Sequence, residues 1–130
     1  MPSAASPIVI LAGARTPMGR FQGGLSPLTA TDLGAAAISG ALDRSGMTGS
    51  DVDFAYLGNV VAAGTGQVPA RRASADAGIP LTVPSTLLNR ACLSGMHAIH
   101  LASQMIRLGE ADTVVAGGME SMTNAPYLLT

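Results

Sequence analysis

The sequence predicts an α/β fold built on a parallel β-sheet. Short apolar runs rich in valine, isoleucine and leucine alternate four times with longer segments of helical pattern. Glycine and proline stand at most of the junctions between them, where the chain must turn. Alternation of this kind predicts parallel strands with helices covering the faces of the sheet. We therefore predict one βαβαβαβ unit for the 130 residues.

The composition predicts a packed core and excludes several classes of protein. Hydrophobic residues make up 48% of the chain and charged residues 12%, which is not the composition of a disordered segment. The net charge is −1 and the seven basic residues are scattered, so we expect no nucleic-acid partner. A single cysteine excludes an internal disulfide. No apolar stretch is long enough to span a bilayer and no secretory signal is recognisable, so we expect a cytoplasmic protein with no membrane partner.

The first half of the chain predicts a buried strand followed by a helix. Residues 8–11 are a continuous apolar run, typical of a strand that is buried on both faces. Thr29 can cap a helix whose third residue, Asp32, complements the free N–H groups of the first turn. That helix runs to about Arg44 and stops at Gly46. We expect its packing stripe to be Leu33, Ala36, Ala37, Gly40 and Ala41.

The second half predicts three more strands and two more helices. Prolines and glycines stand at the ends of these predicted elements, and Pro69 suits the first turn of a helix. The predicted elements are a strand at 54–57, a helix from Pro69 to Gly78, a strand at 85–88, a helix at 96–108 and a strand at 113–116.

Residues 89–95, Asn-Arg-Ala-Cys-Leu-Ser-Gly, contain the only cysteine, Cys92, between the third strand and the third helix. A strand that enters a helix through such a turn places the thiol at the helix N-terminus. The N–H groups there favour a thiolate and can stabilise a developing oxyanion. This pattern predicts a nucleophile. The alternative is a structural cysteine that packs as a small hydrophobic side chain, and these residues alone do not separate the two.

His97 and His100 are three apart on the predicted helix and could share a metal ion. No third ligand has a matching position, so ordinary helix positions are the favoured interpretation. Neither histidine is placed to act as a base for Cys92. His97 lies about 140° around the helix axis from the cysteine, and His100 lies about 12 Å further along it.

Two glycine pairs and one acid complete the candidates. Residues 64–66 and 117–118 do not match a nucleotide-binding pattern, and we interpret these glycines as tight turns. Glu120 follows a glycine-rich strand end. We interpret it as a buried, hydrogen-bonded carboxylate that holds neighbouring loops rather than as a catalytic acid.

Residues 89–95 resemble the nucleophile motif of the thiolases, and further blocks resemble that family in the same order. They are residues 12–19, residues 58–60 with 64–71, and residues 116–122. The resemblance implies that residues 1–130 are the nucleophile-bearing part of a thiolase N-terminal domain, with Cys92 as the acyl-accepting cysteine. Leu93 departs from the family pattern, in which many members have glycine or serine, and this puts the acyl chain-length preference in doubt.

The resemblance also implies an acetyl-CoA acetyltransferase type of chemistry, as in fatty acid metabolism. Acyl-CoA and CoA would be substrates, with no bound cofactor and no metal. The family's Gly-His-Pro, Asn-Glu-Ala-Phe and Cys-x-Gly-Gly-Gly motifs do not occur in the 130 residues. We therefore expect an N-terminal portion that does not turn over alone. It would form a homo-oligomer or pair with a chain that carries the C-terminal half.

Two alternatives remain open at this point. The chain could belong to another condensing enzyme of the thiolase fold, such as a ketoacyl synthase. It could also be a non-catalytic thiolase-like segment that acts through an apolar surface, since its mean hydropathy of +0.39 is high for a small protein.

Overall fold

The computed structural model describes residues 7–129, and the main elements within them are three helices and three strands. The strands form one parallel sheet in the order β2-β1-β3. This confirms the predicted α/β class and the parallel sheet, whereas the first of the four predicted strands, at residues 8–11, is absent. The elements are α1 (Ala30–Ser45), β1 (Phe54–Gly58), α2 (Pro69–Asp76), β2 (Ser85–Leu88), α3 (Ser94–Arg107) and β3 (Val114–Gly118), with single 3-10 turns at Gly49–Asp51 and Met122–Asn124.

The prediction of a first strand at residues 8–11 is wrong. This segment has no regular secondary structure, and Val9, Ile10 and Leu11 are 64%, 79% and 62% exposed. The chain that follows it lies along α1 instead, where Arg44 Nη1 donates a hydrogen bond of 2.7 Å to the Gly13 carbonyl oxygen. An apolar, β-branched run suits a strand, but a strand forms only where the edge of another strand supplies its hydrogen bonds.

Helix α1 begins and ends as predicted. The Thr29 backbone N–H donates to the Asp32 carboxylate at 2.8 Å, and the Asp32 N–H donates to the Thr29 hydroxyl at 3.2 Å. The Thr29 hydroxyl also donates to the Asp32 carboxylate at 2.6 Å, and this bond together with the one from the Thr29 N–H holds the pKa of Asp32 below its usual value. Gly46 ends the helix in the left-handed conformation at φ 73°, a conformation that glycine adopts without a steric penalty.

The predicted packing stripe of α1 is wrong. Its buried residues lie on a neighbouring face, which packs on α2 and the core of the sheet. Ala36 is exposed, and Leu33 and Ala37 are half-buried beside residues 14–18. Periodicity identified an amphipathic helix but did not identify which of two adjacent apolar faces would meet the sheet. The buried residues are Ala30, Thr31, Gly34, Ala35, Ile38 and Leu42.

Consecutive residues of β1 point to opposite faces of the sheet and define its two layers. Leu57 is 2% exposed and belongs to the core cluster with Ile38 of α1 and Ala70 of α2. Gly58 faces the other way and lies against the start of α3, next to Ser94. Helix α2 therefore covers one face of the sheet with α1 packed against it, and α3 covers the other face along β1 and β3.

Asp53 joins β1 to β3 at the amino ends of the strands. One of its carboxylate oxygens accepts the backbone N–H groups of Thr113 and Asp112, both at 2.9 Å. These two bonds lower the pKa of the Asp53 carboxyl from its ordinary value. No helix among residues 7–129 is long and apolar enough to cross a membrane.

Candidate active site

The three strands end at a common edge, and the candidate site lies there. Parallel strands bring their carboxyl ends together, which is where α/β proteins commonly form their sites. An open cleft of about 280 Å³ lies at this edge. Its walls come from the ends of β1 and β3, from the segments that follow them and from the start of α3, and Cys92 is among the lining residues.

Cys92 lies in the turn between β2 and α3, two residues before the helix begins at Ser94. The predicted position of the cysteine at a helix N-terminus is therefore confirmed. Cys92 is an exposed residue with a free thiol. Ser94 is buried and closes the turn, since its hydroxyl donates to the Ala91 carbonyl oxygen at 2.6 Å and accepts the Arg90 N–H at 2.9 Å.

Ala91 has a φ of 50°, in the left-handed region. A residue with a Cβ pays about 1–2 kcal/mol for that conformation, so surrounding contacts must hold it. The Ala91 N–H donates to the side-chain oxygen of Asn89 at 3.0 Å. This is a local bond of the kind that asparagine makes to the backbone two residues on, and it fixes the residue immediately before Cys92.

Gly58 allows α3 to begin close to the sheet. A Cβ at this position would lie 2.5 Å from the Ser94 Cβ and 2.9 Å from the Ser94 carbonyl carbon. Only glycine fits such an approach without moving the first turn of the helix. The close packing at Gly58 therefore sets the height of the Cys92 turn above the carboxyl edge.

The start of α3 presents free backbone donors beside Cys92. The first N–H groups of a helix have no partner within the helix. Among the described residues, the N–H groups of Cys92, Gly95 and Met96 have no hydrogen-bond acceptor. Together with the helix dipole, such groups attract an anion or a developing oxyanion. Cys92 therefore lines the same cleft as donors of the type that acyl transfer requires.

Glu120 connects two of the segments that follow the strands. Its carboxylate accepts the N–H of Val60 at 2.8 Å, the N–H of Val61 at 3.2 Å and the amide N–H of Asn59 at 2.7 Å. The half-buried carboxylate thus holds the segment after β1, as predicted. The same acid lies between the cleft and a second cavity of about 250 Å³, which Arg15 and other residues of 14–18 line.

Asn59 and Asn89 were not predicted as site residues. Asn59 is 1% exposed, and its amide donates to the Met119 carbonyl oxygen at 3.2 Å as well as to Glu120. Asn89 reaches across from β2 and donates to the Val60 carbonyl oxygen at 3.1 Å. A signal for both exists in the sequence, because Asn89 directly follows one predicted parallel strand and Asn59 comes two residues after the end of another. Polar residues at such positions converge at one edge of the sheet.

The other sequence candidates lie elsewhere or have different roles. The rings of His97 and His100 are 6.0 Å apart on α3, and no hydrogen bond among the described residues joins either to Cys92. Within residues 7–129, no three acidic, histidine or cysteine side chains cluster as metal ligands would. Gly64 and Gly66 do occupy turns, with φ of 78° and 95°. The turn prediction for residues 117–118 is wrong, since these glycines end β3.

Fold and site together define an α/β protein with an exposed cysteine at a helix N-terminus, on the carboxyl edge of a parallel sheet. Residues 8–130 match the family model described as "Thiolase, N-terminal domain". The chain belongs to the thiolase family.

Similar proteins are acetyl-CoA acetyltransferases and thiolases. The mitochondrial acetyl-CoA acetyltransferase of Danio rerio is 50% identical over 94% of this chain and 29% of its own length. A probable acetyl-CoA acetyltransferase of Mycobacterium tuberculosis is 53% identical over 93% of this chain and 31% of its own length. The structure of Acat5 thiolase from Ascaris suum in complex with coenzyme A matches with a TM-score of 0.91 and 39% identity. That match covers 93% of this chain and 32% of the Ascaris chain. The chain thus spans under a third of the length of these relatives.

Proposed function

We propose that this chain carries the acyl-accepting part of a thiolase-type acyltransferase, with Cys92 as the nucleophile. The observation that carries the proposal is the exposed Cys92 thiol beside a cleft and beside the free N–H groups at the start of α3. Family membership and the similarity to acetyl-CoA acetyltransferases support it. We propose acyl-CoA and CoA as the substrates, in line with the Ascaris thiolase that was solved with coenzyme A.

The proposed step is a thioester exchange. The Cys92 sulfur attacks the carbonyl carbon of an acyl-CoA, and the bond from that carbon to the CoA sulfur breaks. CoA leaves as a thiolate, which takes up a proton, and the acyl group remains on Cys92. The free N–H groups at the start of α3 lie where they can lower the energy of the oxyanion formed during the attack. Attack by a CoA thiolate or by an acetyl-CoA carbanion then releases the acyl group.

We further propose that the 130-residue chain by itself accepts an acetyl group slowly and does not turn over. Release needs a group that moves a proton for the second nucleophile, and the chain has one cysteine and two histidines. Both histidines lie on α3, away from hydrogen-bond contact with Cys92. Loss of one oxyanion donor costs about 10²–10³ in rate. Loss of a general base typically costs a further factor of about 10²–10⁴.

Mass spectrometry of the chain after incubation with acetyl-CoA tests the nucleophile, and an acetoacetyl-CoA thiolysis assay tests turnover. We expect one slowly added acetyl group on Cys92, none on Cys92→Ser, and no thiolysis. Adding the C-terminal portion of a thiolase should bring thiolysis that Cys92→Ser abolishes. Rapid thiolysis by the chain alone would refute the claim of inactivity. Absence of acetylation both with and without the added portion would refute the role of Cys92.

We also propose that the chain self-associates or pairs with a chain that carries the C-terminal half. Large apolar side chains are exposed next to the site, including Leu93, Met96 and Val60. Strand β2 lies at an edge of the sheet, where it can accept another strand. Sedimentation velocity over a wide concentration range should show a dimer or larger species. A single monomer peak at all concentrations, with no complex on addition of a thiolase C-terminal portion, would contradict this.

The cellular compartment is a separate proposal. We place the protein in the cytoplasm because its single cysteine makes no use of an oxidising environment. The Danio rerio relative is mitochondrial by name, so these two compartments are the outcomes to distinguish. A fluorescent fusion of the gene product imaged in its own cells would show a mitochondrial pattern if this placement is wrong.

A further inference from the structure

A path of hydrogen bonds, linked through the backbone of Val60, crosses the carboxyl edge of the sheet and ends at Ala91, the residue before Cys92. It begins at Glu120 after β3, whose carboxylate accepts the N–H groups of Val60 and Val61 after β1. The Val60 carbonyl oxygen then accepts the side-chain amide of Asn89 after β2 at 3.1 Å. Asn89 in turn accepts the Ala91 N–H at 3.0 Å through its side-chain oxygen. The segment after each of the three strands thus contributes one residue to the path.

The path ends at Ala91, whose backbone conformation is strained. Ala91 is held at a φ of 50°, which a residue with a side chain rarely adopts, and Cys92 is the next residue. Conformations of this kind persist only when the surrounding contacts over-determine them. Release of Asn89 would remove the bond to the Ala91 N–H and leave only the bonds from Ser94 to the Ala91 carbonyl oxygen, so that the strained Ala91 could relax to an ordinary conformation. That rotation would carry the Cys92 thiol away from the free N–H groups at the start of α3.

We propose that Glu120 and Asn89 are positioning residues for Cys92, acting through the Val60 backbone. Glu120 holds Val60 in place, Val60 orients Asn89, and Asn89 fixes the strained residue before the thiol. The importance of this positioning for acyl transfer rests on the proposed role of Cys92 as the acyl acceptor. The path itself can be tested without acyl transfer, because Cys92 is the only thiol in the chain.

The reporter is the charge selectivity of Cys92 alkylation. Iodoacetate is an anion and iodoacetamide is neutral, so the ratio of their rates reports the electrostatic field at the thiol. Donors at a helix N-terminus attract anions. We expect the ratio for the folded wild-type chain to exceed the ratio for the same chain in urea. Equal ratios in the two states would show that the thiol is not held at the donors and would overturn the proposal.

Glu120→Gln separates positioning from direct electrostatics, because the two effects change the ratio of iodoacetate to iodoacetamide rates in opposite directions. Removal of a negative charge near the cleft should by itself raise the iodoacetate ratio. Loss of the path should lower it to the value of the unfolded chain, because glutamine keeps only one of the two acceptor oxygens and places a donor against the N–H groups. We expect the ratio to fall while the far-ultraviolet circular dichroism stays that of a folded chain. A rise would overturn the proposal.

Asn89→Ser and Asp53→Asn are the companion variants. Asn89→Ser is uncharged and lies on the surface, so it should fold, and it keeps an oxygen near Ala91 but loses the reach to Val60. We expect it to lower the ratio. Asp53→Asn removes a carboxylate that joins β1 and β3, the strands that Glu120 connects, at their amino ends instead of their carboxyl ends. It should leave the ratio unchanged. An equal fall in Asp53→Asn would mean general loosening of the sheet and would overturn the proposal.

Acetylation of Cys92 by acetyl-CoA is the second readout. A displacement of about 1 Å can slow a positioned reaction by about 10²-fold, so Glu120→Gln should slow acetylation by about tenfold to a hundredfold. If Cys92 is not acetylated either with or without the C-terminal portion of a thiolase, but the alkylation ratios follow the expected order, the proposed function fails and the positioning path stands. If acetylation proceeds at the wild-type rate in Glu120→Gln and Asn89→Ser, the path does not position the nucleophile.

Discussion

Replacing Gly58 with alanine should destabilise the fold by about 1–3 kcal/mol, the cost of forcing an extra methyl group into a packed contact. The new Cβ would lie 2.5 Å from the Ser94 Cβ and 3.1 Å from the Gly95 nitrogen. Both neighbours belong to the first turn of α3, so the clash is relieved only by moving the start of that helix. We therefore also expect Cys92 acetylation to slow by about 10²-fold, because the thiol moves with the turn.

Gly117→Ala is the matched control for this change. Gly117 lies in the neighbouring strand β3, and a Cβ there would meet nothing closer than the Leu57 side chain at 3.9 Å, an ordinary contact. We expect urea unfolding and Cys92 acetylation close to those of the wild type. Equal behaviour of the two alanine variants would show that close packing at Gly58 does not set the position of the Cys92 turn.

Replacing Leu57 with alanine should cost about 2–5 kcal/mol, a large part of the about 5–15 kcal/mol that stabilises a typical domain. Leu57 is buried between the sheet and the helices α1 and α2, so truncation leaves a cavity in the main core. Urea unfolding should show a lower midpoint with an unchanged slope. Because Leu57 points away from α3, the charge selectivity of Cys92 alkylation should remain that of the wild type as long as the chain is folded.

Leu81→Ala serves as the control for the core substitution. Leu81 is 65% exposed, and surface substitutions of this kind change stability by no more than about 0.5 kcal/mol. A loss in Leu57→Ala no larger than the loss in Leu81→Ala would contradict the assignment of Leu57 to the core. A changed alkylation selectivity in folded Leu57→Ala would contradict the separation of the two faces of the sheet.

Local signals in the sequence predicted the helix boundaries well. Thr29, Asp32 and Gly46 act on residues within one turn of themselves, so their roles follow from the chemistry of a helix end. The same holds for the start of α3, where the small Ser94 and Gly95 follow the cysteine. Helix α3 begins within two residues of the predicted start because short-range contacts decide it. The sequence also predicted the holding role of Glu120, although not the residues that it holds.

The sequence-based predictions were wrong where the structure of one segment depends on a segment that is distant in the chain. Residues 8–11 have the composition of a strand, but their backbone lacks a strand partner within the described part of the chain. The face of α1 that is buried was missed because two adjacent apolar faces compete, and the position of α2 decides between them. Periodicity measures only the alternation within one segment, so it carries no information about either partner.

The sequence by itself determined the α/β class, the ends of the helices and the position of Cys92 before α3, because each depends on neighbours along the chain. Only the tertiary structure decided that Gly58 admits the start of α3. It alone joined Glu120 to Val60 across 60 residues and Asn89 to Val60 across 29. Such contacts arise when the parallel strands bring their carboxyl ends to one edge. The register of the strands, which no single segment encodes, therefore places the site.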